Sequence, residues 1–250
     1  MNKSLKYLNL NDFDVTMKNI VIPDEKVRSL SFYLAMEEYV AGSMDCEAFF
    51  VWRVPPSVII GRNQILENEV NLDYCAKNGV GLFRRRSGGG CVYSDPGNIM
   101  LSYISRRGEV SAVFDRYLSA LAAALGNIGL DAVLSGRNDI LVNGRKVSGN
   151  AFHQLPDRSI VHGTLLHSSD LEALTEAIRP PVEKLQRHGV ASVRQRVANL
   201  SEFKDISPVL ETPESLQAYL TGYFTDGDIL LAPEQLREIE DMSYEYIIHC

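Results

Sequence analysis

The spacing of hydrophobic positions changes period several times along the chain, and each change marks an element. In "SLSFYLAMEEYVAG", Leu30, Tyr33, Leu34 and Val40 lie on one face of a helix that Gly42 can end. "AFFVWRV" and "SVIIG" are apolar, partly β-branched runs split by Pro55-Pro56. They predict two strands joined by a tight turn. "NLDYCAKNG" predicts a short helix stopped by Gly79, and a strand then leads from Val80 to Phe83. Beyond a polar, glycine-rich interruption, "NIMLSYIS" predicts another strand. The clearest helical period is in "SAVFDRYLSALAAALGNIGL", where Val113, Phe114, Tyr117, Leu118, Leu121 and Leu125 share a side. "DILVNGRKVSG" carries Asn143-Gly144, a hairpin-turn signal, and "SIVHGTLLHS" predicts the strand after it. "DLEALTEAI" predicts a helix halted by Pro180-Pro181, and the chain from Ser215 onward reads as mostly helical. Strands separated by hairpin turns, with helices grouped before and between them, predict an α+β fold with a largely antiparallel sheet.

Composition narrows the function. A chain of 250 residues that is 45% hydrophobic can bury a full core. No repeat or low-complexity linker divides it, so residues 1–250 are expected to form a single domain. The formal net charge of −7 argues against a general nucleic-acid binder. Positive charge is local instead, at Arg84 to Arg86 and Arg106-Arg107. That suits a small anionic ligand or an acidic patch on a partner. Cys46, Cys75, Cys91 and Cys250 form no Cys-x-x-Cys pair and no zinc-ligand spacing, so no metal site is expected. Scattered single thiols suit a reducing cytosol. "MNKSLKYLNLNDFDV" lacks the apolar run of a signal peptide, and no stretch reaches bilayer-spanning length. The expected location is cytoplasmic, without a membrane partner.

Three stretches carry candidate chemistry. In "RRRSGGGCVYSDPGN", residues 84–98, three arginines run into three glycines. Without Cβ atoms, backbone N–H groups can approach an anion closely, and arginine offers a planar fork of donors for phosphate. The spacing is neither that of the P-loop nor that of the dinucleotide fingerprint. A flexible, solvated turn is the competing reading. In "GRNDILVNGRKVSGNA", Asn138 and Asp139 open a strand and Lys146 lies across the turn. Asp139 can orient Lys146, or serve a metal or ribose; the alternative for Lys146 is a solvated surface charge. In "VHGTLLHS", His162 taken alone reads as a structural histidine, and no nucleophile elbow is visible.

Together, in this order and spacing, "RRRSGGGCVYSDPGN", "GRNDILVNGRKVSGNA" and "HGTLLHSSDL" resemble the lipoate-protein ligase family. "YLAMEEYV" and "VIIGRNQ" resemble its N-terminal segments, and "VRQRVANL" at 193–200 its late motif. The likeness runs from about residue 27 to about 246. It implies the class II synthetase-like fold shared with biotin-protein ligases: a mixed, mainly antiparallel sheet with flanking helices. It also implies two-step chemistry: lipoate and ATP, with Mg²⁺, give lipoyl-AMP, and an acceptor lysine then takes the lipoyl group. By the resemblance, Arg85 and Gly90, Cys91, Val92 and Tyr93 match nucleotide-contacting positions, to which Ser87, Gly88, Gly89, Asn138 and Asp139 are added. Lys146 matches the catalytic lysine that touches both nucleotide and lipoate, and His162 is assigned to lipoate. The implied partners are lipoyl domains of 2-oxoacid dehydrogenase complexes or the glycine-cleavage carrier protein. Many such ligases continue into a further small domain. This chain stops at Cys250, just past Tyr-Glu-Tyr, where Trp-Glu-Trp is usual. A transferase using ready-made lipoyl-AMP, or one needing a separate accessory subunit, is therefore the alternative, with a cysteine-dependent octanoyl or lipoyl transferase behind it.

Overall fold

Helices cover both faces of the central sheet, which is why its strands read as continuous apolar runs rather than polar–apolar alternation. The computed structural model describes residues 17–136, 138–178 and 196–248. The central strands are β1 (Met17–Val21), β2 (Ala48–Trp52), β6 (Asn98–Arg106), β7 (Ala132–Ser135), β8 (Asp139–Val142), β9 (Arg145–Gln154), β10 (Arg158–Leu166) and β11 (Thr225–Leu230). Their order is β11-β1-β2-β6-β10-β9-β8-β7. β1 is parallel to β2 and β11, and the other pairs are antiparallel.

Alternate side chains of each strand feed two cores. Phe49, Leu101, Tyr103, Val161 and Ile140 pack with α4 (Val110–Asn127) and α6 (Pro213–Phe224) on one side. Phe50, Trp52, Met100, Ile104 and Ile160 pack with α1 (Leu30–Ser43) and α7 (Pro233–Ser243) on the other. The helical faces read from the sequence are those buried here, except that Tyr33 and Phe114 are only partly covered. No helix among the described residues is long and apolar enough to cross a membrane.

The expected turn at Pro55-Pro56 joins two sheets instead of two neighbouring strands. β3 (Ser57–Ile60) belongs to a separate three-stranded sheet, parallel to β4 (Gly81–Arg84) and antiparallel to β5 (Val92–Ser94). This sheet closes a third core with α2 (Leu66–Glu69), α3 (Leu72–Asn78) and α5 (Leu171–Ala177). α3 ends as expected, with Gly79 left-handed at φ 64°. Four strands were not read from the sequence: β1, the three-residue β5, the four-residue β7, and β11, which falls in the stretch expected to be mostly helical. β11 reads Thr-Asp-Gly-Asp-Ile-Leu and lacks an apolar face; it is held by its pairing with β1. Cross-strand bonds from Lys18 to Asp226 (3.0 Å) and Asn19 to Asp228 (2.9 Å) reinforce that pairing. Pro180-Pro181, residues 193–195 of the late motif and Cys250 lie outside the described residues.

Candidate functional site

The three consecutive arginines take three different jobs, which removes the apparent conflict of like charges. The Arg84 Nη1 group converges on the carbonyl oxygens of Gly61, Arg62 and Gln64, at 3.3, 3.2 and 2.8 Å. Arg85 is buried and donates to Gly88 O from Nε (3.1 Å) and Nη2 (2.8 Å), to Gly90 O (2.8 Å) and to Ile59 O (3.2 Å). Burial pulls its guanidinium down to about 10, which leaves it protonated at neutral pH. Arg86 turns outward to Glu38 and Glu245.

The glycine bend is thereby polarised. Its carbonyls at Gly88 and Gly90 accept from Arg85, and that of Gly89 accepts from Gln64 Nε2 at 3.3 Å. The N–H groups of Gly88, Gly89, Gly90 and Cys91 donate to no acceptor among the described residues. Successive free amides with their carbonyls tied back make an anion-binding nest. Gly89 sits at φ 94°, a region only glycine enters freely. The neighbouring turn touches it closely: a Cβ on Gly61 would lie 2.1 Å from Gly89 O.

Facing the bend is the β8–β9 hairpin. Asn143 (φ 51°) and Gly144 (φ 74°) give it the left-handed turn that the Asn-Gly pair predicts. The register shifts between Ile140 and Leu141, so Leu141 pairs with Lys146 but Ile140 with Ser148. The extra residue lets Val147 and Ser148 both be buried while Lys146 emerges half-exposed. Lys146 Nζ pairs with Asp139 at 2.8 Å and lies across Gly149, whose missing Cβ would sit 2.7 Å from that nitrogen. Asn138 is fixed by exchange with Asn150: its Nδ2 donates to Asn150 O at 2.7 Å, and Asn150 Nδ2 returns to Asn138 O at 2.9 Å. Tyr117 donates to Asn150 Oδ1 from the core at 3.1 Å.

Behind the bend runs a buried polar chain. Trp52 Nε1 donates to Ser102 Oγ (2.8 Å), which donates to Glu37 Oε1 (2.6 Å); Glu37 Oε2 meets His162 Nδ1 (2.9 Å). His162 Nε2 lies 2.6 Å from Ser87 Oγ. The series has the make-up of a hydrolytic triad, but Ser87 is 2% exposed and does not line the cleft, so it anchors the root of the bend.

Between bend, hairpin and β10 lies a cleft of about 330 Å³. Among the sequence candidates, Arg85, Gly89, Gly90, Cys91, Val92, Asn138, Lys146 and His162 line it. Ser87, Gly88, Tyr93 and Asp139 do not, and Tyr93 is buried in the third core. Trp52, Met100, Leu34 and Ile59 supply apolar wall. Val58 and Ile60 belong to the third core. Sequence reasoning missed Glu37, Trp52, Ser102, Asn150 and Gly61. Three of them left a trace: Glu37 as a carboxylate in register with the buried helical positions Leu30, Leu34 and Ala41, and Gly61 and Asn150 inside the motif stretches "VIIGRNQ" and "GRNDILVNGRKVSGNA".

The chain belongs to the lipoyl protein ligase A/B catalytic domain family, whose model matches residues 29–223. It is 37% identical over 218 residues to the lipoate-protein ligase LplJ of Bacillus subtilis (strain 168). That match covers 86% of this chain and 65% of the relative, so the chain spans just under two thirds of the relative's length. Among solved structures it resembles a chain from an archaeal lipoylation system, a bi-partite lipoate protein ligase and its E2 lipoyl domain from Thermoplasma acidophilum. The TM-score is 0.79 at 25% identity, covering 92% of this chain and 93% of that one. A T. acidophilum structure with bound lipoic acid gives a TM-score of 0.75 at 26% identity, covering 92% and 94%.

Proposed function

We propose that this chain is the catalytic domain of a lipoate-protein ligase, which activates lipoate with ATP and transfers the lipoyl group to a lysine of an acceptor lipoyl domain. One observation carries the reading: Gly89, Gly90 and Cys91, whose amides have no acceptor among the described residues, line one partly apolar cleft together with Lys146, which Asp139 pairs from outside it. In the first step a lipoate carboxylate oxygen bonds to the α-phosphorus of ATP and the bond to the β-phosphate breaks, releasing pyrophosphate. Two anions must meet, and the 89–91 amides with Lys146 offset their repulsion. Arg85 acts indirectly, by holding the carbonyls back. In the second step the neutral acceptor amine attacks the acyl carbonyl, AMP leaves with the anhydride electron pair, and the amine gives up a proton. Lys146 donates to the carbonyl oxygen as its charge grows. The apolar wall takes the lipoyl chain, at roughly 0.8 kcal/mol per buried CH₂.

No cluster of three His, Cys, Asp or Glu side chains suited to a metal occurs among the described residues. Mg²⁺ enters as part of the nucleotide substrate, held chiefly by phosphate oxygens as is usual for this ion. The acceptor is a lipoyl domain of a 2-oxoacid dehydrogenase complex or the glycine-cleavage carrier protein. Free thiols at Cys46, Cys75 and Cys91 fit a cytoplasmic setting. A second reading, in which adenylation needs a separate accessory subunit, draws on the likeness to a chain of the bi-partite archaeal ligase. A thioester route through Cys91 is disfavoured, because burial pushes its thiol up to about 12 and leaves almost no thiolate at neutral pH. Cys91→Ser is expected to keep its activity.

Pyrophosphate release with ATP, lipoate and Mg²⁺, run with and without a lipoyl domain, tests the proposal. Release followed by acceptor lipoylation is expected. Lipoylation only from preformed lipoyl-AMP supports the second reading, and activity with neither ends both.

A further inference from the structure

Arg86 has no place in the cleft chemistry, yet it makes three long-range contacts at the root of the bend. It follows the cleft-lining Arg85 and precedes Ser87, the anchor of the bend. Its Nη1 lies 2.7 Å from Glu38 Oε2 on α1, and its Nη2 pairs with Glu245 in the 3₁₀ turn Tyr244–Tyr246. Its guanidinium also stands 5.4 Å over the ring of Tyr246, which is buried. The same turn leads directly onto β4, the edge of the small sheet. Ile247 bridges Phe83, and Ile248 N donates to Leu82 O at 3.1 Å.

Two consecutive glutamates on α1 thus hold two consecutive residues at the root of the bend. Glu37 reaches Ser87 through His162, and Glu38 reaches Arg86 directly. The Glu38 side chain is only 11% exposed, so its pairing with Arg86 is poorly screened, whereas Glu245 is 65% exposed and adds a weaker outer contact. Three successive glycines have more backbone freedom than any other tripeptide, so their anchors decide where the amides of the bend point.

We propose that Arg86 is a positioning residue for nucleotide binding: it latches the 244–248 segment and α1 onto the root of the glycine bend and so holds the nest in its converged form. This rests on the adenylate-forming reading above. The latch predicts an effect confined to the bend and to nucleotide affinity. Simple loss of stability would spread through the whole protein.

Hydrogen exchange in the ligand-free protein at the two bonded amides that fix the root of the bend, Arg62 N to Ser87 O and Arg85 N to Ile60 O (3.0 Å each), together with the KM for ATP in pyrophosphate release, tests it. Glu245→Gln changes an exposed side chain and leaves the fold intact. It is expected to speed exchange at Arg62 and Arg85 by about two- to five-fold, the range for a single exposed pair, and to raise KM by a similar factor while kcat holds. Arg86→Ala removes both pairs and the ring contact and is expected to exceed this, with Arg86→Lys between the two. Unchanged exchange at Arg62 and Arg85 in Glu245→Gln and Arg86→Lys overturns the latch. So does faster exchange spread evenly over the chain with KM unaltered. If the unaltered protein releases no pyrophosphate, the adenylate reading fails, and exchange in the ligand-free protein still judges the latch alone.

Discussion

At Lys146 chemistry and stability separate cleanly. Its side chain is 38% exposed and its partner Asp139 is 32% exposed, so the pair orients the ammonium and adds about 1 kcal/mol or less to folding. Lys146→Ala is expected to lower turnover by roughly two to three powers of ten, the usual cost of one donor to a developing charge. The unfolding midpoint should barely move, since surface changes shift stability by about 0.5 kcal/mol or less. Steady-state lipoylation and urea titration of one preparation check both halves; a variant that loses stability with activity contradicts the assignment. Gly61 makes the complementary case. Its added Cβ would meet Gly89 O at 2.1 Å, so Gly61→Ala must displace the bend. ATP binding by calorimetry should weaken strongly although no ligand-facing side chain has changed; unaltered affinity would mean that the nest is not the nucleotide site. These two residues also mark the limit of reading the site from sequence. Lys146 and the glycines were legible because their chemistry is local, packed into short runs. Glu37, Ser102 and Trp52 were not, because α1, β6 and β2 bring them together only through sheet order, and His162 lies 75 residues from the serine it touches.

The same division holds for whole elements. Helices α1, α3 and α4 and the β8–β9 turn were legible because a local signal coincided with the tertiary outcome: an apolar stripe, a stopping glycine, an Asn-Gly pair. The bulge after that turn was not, since it depends on Val147 and Ser148 being buried in succession. Nor was the parting of β2 and β3 into two sheets, which no local pattern encodes. Two left-handed glycines separate local stability from site geometry. Gly79→Ala, at φ 64° and with open space around the new Cβ, should cost about 1–2 kcal/mol and leave activity intact. Gly144→Ala, at φ 74°, carries the same local cost, but it strains the turn that sets the register of Lys146. Turnover should therefore fall in the second variant beyond what its urea midpoint accounts for. Equal activity in the two would show that the hairpin register tolerates turn strain.

Across the whole molecule, one buried histidine ties the central sheet to the C-terminal third. His167 follows β10 and is 1% exposed. Its Nε2 meets Leu210 O at 3.1 Å, its carbonyl accepts from Ser201 N at 2.9 Å, and its Nδ1 has no partner among the described residues. Burial holds its pKa below the ordinary 6.5, and the same cause lowers that of His153. The folded state therefore binds fewer protons than the unfolded chain as pH falls through 6.5, so stability is full above that value and lost below it. The carboxylates with lowered pKa act later. Asp24 is held at about 2 by Arg28, and Glu240 is lowered first by its bond from Lys26, so their contributions disappear below the ordinary carboxylate range. Between about pH 6.5 and about pH 5 the decline belongs chiefly to the two histidines. Urea midpoints measured across that window should fall with acidity. His167→Gln keeps an N–H donor for Leu210 O but cannot take up the proton, so it should flatten the slope while lowering stability at neutral pH through imperfect packing. If the slope is the same in both proteins, His167 carries the same proton affinity folded and unfolded, and its burial has no hold on the pH dependence of the fold.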